Sequence, residues 1–196
     1  MTQLQQAQDS ESAIYAVTAR DLQAALIAAV YFFFVLGSYY LVRPVREQLG
    51  AAAGGSDVLP WLWTGTFIAT LVLTPFYGGI VARYPRRIFI PIAYTFFAMG
   101  MIAFSSVASS EHPSAWSAIA FYIWVSVFNL FVVAVFWSFM ADLFTDAQAR
   151  RLFGPIGVGG TLGAIAGPTV AKTLVADIGI SGLLWLSSGA LVAALL

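Results

Sequence analysis

Very few side chains in this sequence can do chemistry, which makes each one that can informative. There is no cysteine, so disulfides and thiolate metal sites are excluded. The single histidine, His112, has no second ligand near it and reads as an exposed loop residue. No metal or other cofactor is expected. No nucleophile triad, His–Glu cluster or phosphate loop is present; the glycines at 157–163 follow no strand and precede no Gly-Lys-Ser/Thr. Nothing argues for an enzyme. The net charge is zero, so no global field points to nucleic acid.

What remains is a handful of charged and amide groups set among apolar runs. Arg43 and Arg46 are three apart and share a helix face. Guanidinium forks suit carboxylate and phosphate, so this pair is a candidate contact for an anionic solute. The other reading is contact with lipid headgroups or water. Pro44 disfavours helical geometry at Arg43, which makes Arg46 the better candidate. Asn129, the only asparagine, lies halfway along an apolar run, a depth at which polar groups face a bundle interior. It is a candidate solute contact or, alternatively, a hydrogen bond between helices. A second set, Arg83, Arg86, Arg87, Asp142, Arg150 and Arg151, clusters at short turns and reads as a charge network or gate. Asp142 is expected beside Arg83 or the Arg150–Arg151 pair. Lys172, near the end of a run, can snorkel to the interface.

The elements that must position these residues are membrane helices. Hydrophobic residues make up 60% of the chain and charged ones 9%, with mean hydropathy +0.86. Soluble domains carry about 25% charged residues, so an ordinary soluble domain is excluded. About 20 apolar residues span a bilayer, and six such runs occur, at about 22–42, 58–81, 88–107, 115–144, 155–176 and 178–196. The expected class is therefore an all-α polytopic membrane protein with six transmembrane helices. A polar tail precedes them over 1–21, without the basic start of a signal peptide. The sixth run stops in apolar sequence, as in a chain truncated at its C-terminus. Tyr39 and Tyr40 fit an interfacial aromatic belt.

Basic residues set the orientation. With the N-terminus in the cytoplasm, six (Arg20, Arg83, Arg86, Arg87, Arg150, Arg151) fall inside and three (Arg43, Arg46, Lys172) outside. The expected location is a plasma membrane, such as a bacterial inner membrane.

Three local patterns sharpen the reading. In the fifth run Gly159, Gly163 and Gly167 recur every four residues, followed by Pro168. The stripe lets another helix approach closely, and the proline permits a bend. Plain packing accounts for it as well as a coupling role does. The stretch from Gly78 through Ala82, Arg83, Pro85, Arg86 and Arg87 resembles the loop signature of the major facilitator superfamily, with Ala82 replacing the usual aspartate. It also reads as a generic basic inner loop. Gly154, Gly163, Gly167, Pro168 and Ala171 resemble the fifth-helix signature of antiporters in that superfamily, departing from it at Lys172. The hairpin with Phe136, Trp137, Ala149, Arg150, Arg151 and Phe153, together with Arg46 and Glu47, resembles the ATP/ADP antiporter branch, departing at Arg150 and Asp142.

That resemblance implies the N-terminal half-bundle of a twelve-helix secondary transporter. Its partners would be the bilayer, a C-terminal six-helix half of the same protein, and a small solute such as an anionic metabolite or nucleotide. A non-transporting anchor or sensor module of a larger protein is the alternative.

Overall fold

The computed structural model of the chain describes residues 18–108 and 114–195. Residues 1–17 of the expected tail, the turn with Glu111 and His112, and Leu196 lie outside them. The described residues form α1 (Ala19–Ala52), a single 3-10 turn (Gly55–Asp57), α2 (Leu59–Arg83), α3 (Arg86–Ala108), α4 (Ala115–Leu143) and α5 (Asp146–Ala193), with no strand. All five helices are long and apolar enough to cross a bilayer. The protein is thus a helical integral membrane protein.

Helix starts are written locally. Thr18 caps α1 through a capping box with Asp21, Thr145 caps α5 through one with Gln148, and Ser114 caps α4 by accepting from the Ser117 N–H. Ends are local too. Pro85 holds Tyr84 extended (φ −112°, ψ 139°), which stops α2 at Arg83. Internal prolines do not stop helices here. Pro44, Pro75, Pro91, Pro155 and Pro168 all lie inside one. In lipid, one lost backbone hydrogen bond costs less than a whole unpaired turn. α1, expected over 22–42, continues past Pro44 to Ala52, and this extension packs into the bundle, with Val45 buried and Gly50 against Tyr122 and Leu62. Its 34 residues measure about 51 Å, well beyond a hydrocarbon core of about 30 Å.

Five helices stand where six were expected. The fifth and sixth runs share α5, which contains one residue that no helix adopts: Gly179, at φ 66° and ψ −177°. Glycine alone takes such values freely. The chain reverses there. Before it, Gly159 packs on Ala29, Gly163 on Phe33 and Gly167 on Tyr40 and Leu41, so the first limb runs parallel to α1. After it, Ser187 meets Ser38, while Ala193 and Ala194 reach the groove beside Ile27, so the second limb runs back.

α1 is the central element. It contributes Val35 and Val42 to a core completed by Tyr94 and Met101 on α3, Phe128 and Phe136 on α4, and Ile156, Leu184 and Leu191 on α5. Phe32 stacks on Phe136 with ring centroids 4.1 Å apart and planes 6° from parallel. The parallel limb of α5 approaches α1 so closely that a Cβ on Gly159 would lie 2.1 Å from the Ala29 carbonyl oxygen, and one on Gly163 2.3 Å from that of Phe33. Pro168, next to Gly167, is half-buried and does not end the helix. α2 packs least, burying only Leu62 and exposing Trp61, Trp63, Phe67 and Phe76.

Candidate functional site

The polar groups gather at the two ends of the bundle. At one end, near the C-terminus of α1, Arg46 points at α4. Its Nη1 donates to Ser126 Oγ (3.1 Å), its guanidinium lies 4.9 Å from the centroid of the Tyr122 ring, and Nη2 pairs with Glu47. Ser126 in turn donates to the Tyr122 carbonyl, which fixes its lone pairs toward the arginine. The Arg46 side chain is 14% exposed, and its Nε is buried with no partner among the described residues. A half-satisfied guanidinium at a helix interface is an anion-seeking group.

Arg43 does not join it. It is exposed and lies over its own Tyr40 ring at 5.4 Å. Residues three apart are still about 60° apart around a helix, and two long side chains placed so can diverge. Asn129 is half-buried. It follows Ser126 by three positions and so continues the face that Arg46 contacts. Tyr39, expected in an interfacial belt, is instead 5% exposed and packs against Phe128.

The opposite end holds the second set. Arg86 Nε donates to Asp142 Oδ2 at 2.6 Å. The expected partners of Asp142 were Arg83 or the Arg150–Arg151 pair, and this is corrected to Arg86. Arg86, at the first position of α3, is half-buried and its Nε reaches Asp142, whereas Arg83 at the end of α2 is exposed. Arg87 and Arg150 are exposed and Arg151 is half-buried. Lys172 is exposed.

A second contact at this end was not read from the sequence. Gln148 Nε2 donates to Asp21 Oδ1 at 2.6 Å, which ties the start of α5 to the start of α1. Both are the third residues of capping boxes, so the signal lay in the spacing Thr18–Asp21 and Thr145–Gln148. Two interior contacts were also missed. Tyr31 Oη donates to Tyr94 Oη (2.9 Å), which donates to the Val132 carbonyl (3.3 Å). Ser38 and Ser187 each donate to the other's carbonyl, at 2.9 and 2.8 Å. Isolated serines and tyrosines in apolar runs carry no sequence signal of which helix they will meet.

Chemically, the arrangement offers a partly unsatisfied guanidinium, Arg46, at one end, and at the other an ion pair, whose Arg86 also keeps an unpartnered buried nitrogen among the described residues, plus a capped latch. Among the described residues no group of histidine and acids could hold a metal. Comparison with known proteins finds no matching family model, no matching curated protein and no matching solved structure.

Proposed function

We propose that the chain is the N-terminal half of a facilitator-type secondary transporter, resembling the ATP/ADP antiporter branch. In this reading it moves a small anionic solute by alternating access. The limb after Gly179 is its sixth span, since it returns along α1. The N-terminus, the junction of α2 and α3 with Arg83, Arg86 and Arg87, and the first turns of α5 face the cytoplasm of a bacterial-type plasma membrane. A C-terminal six-helix half completes the cleft.

The observation that carries the reading is Arg46. It is held between α1 and α4, largely sheltered, with a buried donor left over. An anion in a low-dielectric cleft needs such a partner, and loss of a hydrogen-bonded charge there costs on the order of 2–5 kcal/mol. Asn129, along the same face of α4, is the next group a solute would meet. The close-packed α1–α5 pair supplies a stiff unit that can rock as one body. At the other end the Arg86–Asp142 contact ties α3 to α4 and the Gln148–Asp21 contact ties α5 to α1, which would stabilise one access state.

The test is uptake of radiolabelled anionic and neutral metabolites by the full-length protein. Arg46→Ala lowers uptake of the true solute tenfold or more while membrane insertion is unchanged. Arg46→Lys recovers part, because the bidentate fork is lost. Normal uptake by Arg46→Ala refutes the anionic-solute reading.

One observation favours a second reading. Glu47 already neutralises Arg46, as it would in a fixed anchor of a non-transporting module. In that case Glu47→Gln and Arg46→Ala weaken stability alike and no solute of the panel is taken up.

A further inference from the structure

Another feature lies apart from Arg46. Between the start of α1, the start of α3 and the end of the returning limb runs a groove of about 380 Å³. Its walls are apolar: Ile27, Val30 and Phe34 on α1, Ile90 and Pro91 on α3, and Ala194. Ile27 is 64% and Val30 49% exposed, so the wall opens outward rather than into the core.

Its rim is cationic. Arg86 and Arg87 both line it, and they are the first two residues of α3. Their backbone N–H groups therefore belong to the first turn, which has no acceptor within the helix, and the helix dipole adds its positive end. Asp142 occupies Arg86 Nε, but Arg86 Nη1 is buried with no partner among the described residues. Arg87 is exposed and forms no ion pair among the described residues. One carboxylate against two guanidiniums leaves a net positive charge beside a hydrocarbon-lined slot.

These two features require opposite chemistry in one molecule. A free anion leaves the apolar wall bare. A fatty chain with a zwitterionic head brings its own cation toward two arginines. We propose that the groove binds an anionic phospholipid, with the headgroup phosphate on Arg86 and Arg87 and one acyl chain along α1 and α3. The inference needs only that the chain is embedded in a bilayer, and it holds whether or not the protein transports.

The test uses the full-length protein in phosphatidylcholine vesicles doped with phosphatidylglycerol that carries a photoreactive group on its acyl chain. A phosphatidylcholine probe of the same chain is the control. The expected adducts lie on the peptides covering 27–34, 86–91 and 193–195, and the anionic probe gives far more of them than the zwitterionic one. Arg87→Gln, which leaves the Arg86–Asp142 pair intact, lowers them severalfold; the double variant Arg86→Gln/Arg87→Gln lowers them about tenfold or more. Val30→Trp fills the slot without touching charge and also removes them. Equal labelling by both probes, adducts insensitive to the arginine variants, or no adducts on these peptides overturns the proposal. Displacement of the probe by free glycerol phosphate overturns it in favour of a soluble-anion site.

Discussion

Gly159 and Gly157 lie two residues apart on α5, yet adding one methyl group to each has opposite consequences. A Cβ at Gly159 would meet the Ala29 carbonyl oxygen at 2.1 Å, its carbonyl carbon at 2.6 Å and its Cα at 2.8 Å. All three are backbone atoms, so no rotamer change relieves the clash, and α1 and α5 must move apart. Overpacking of this kind costs about 1–3 kcal/mol, and the absence of any flexible neighbour puts Gly159→Ala at the upper end. Separation also loosens the matching contacts at Gly163 and Gly167, where a Cβ would lie 2.3 Å from Phe33 O and 2.7 Å from Tyr40 Cβ. At Gly157 an added Cβ meets nothing within 4 Å. There the change to alanine only improves helix propensity, by up to about 1 kcal/mol. For a domain of this size each kcal/mol moves Tm by roughly 2–4 °C. Heating the detergent-solubilised protein and following the folded fraction by gel filtration therefore gives a Tm for Gly159→Ala lower by roughly 5 °C or more. Gly157→Ala is unchanged or slightly higher. Equal Tm values for the two variants refute the close α1–α5 approach.

Three further outcomes follow from single contacts. Ser38→Ala and Ser187→Ala each cost about 0.5–1.5 kcal/mol, and the double variant costs close to their sum, because each hydroxyl donates to the other residue's backbone carbonyl, which alanine keeps; a double variant no worse than either single one contradicts those two bonds. A double-mutant cycle on Arg86→Gln and Asp142→Asn yields a coupling of at most about 1 kcal/mol, since the Asp142 side chain is 53% exposed, and the cycle with Arg83 yields none. In intact cells an impermeant thiol reagent labels Ser110→Cys and not Ala147→Cys in this cysteine-free chain; the reverse pattern overturns the proposed orientation.

The sequence alone determined that the chain is helical and suited to a membrane, and where most helices begin and end. Hydrophobic length is a local property. Helices of 25, 23 and 29 residues stand where runs of similar extent were read, capped by Ser114 and stopped before Pro85. One boundary was misjudged: the first run was read over 22–42, but α1 continues through Pro44 to Ala52, where Val45 and Gly50 are buried in the bundle. Near residue 178, where two runs were read to meet, the chain reverses without a loop, at the positive-φ residue Gly179.

The candidate sites depended on tertiary structure to a greater degree. Spacing put Arg43 and Arg46 on one face and Pro44 favoured Arg46, but which partner Arg46 meets was set by the rotation of α1 against α4, which turned it toward Ser126 and left Arg43 outside. Asp142 had several arginines within plausible reach along the sequence, and the fold placed the Arg86 side chain against it. Ser38 and Ser187 are 149 positions apart and meet only because Gly179 folds the last limb back on α1. Which helix a residue belongs to is written in the neighbours along the chain. Which partner it meets depends on helix rotation, register and order, and the sum of many weak packing contacts sets those.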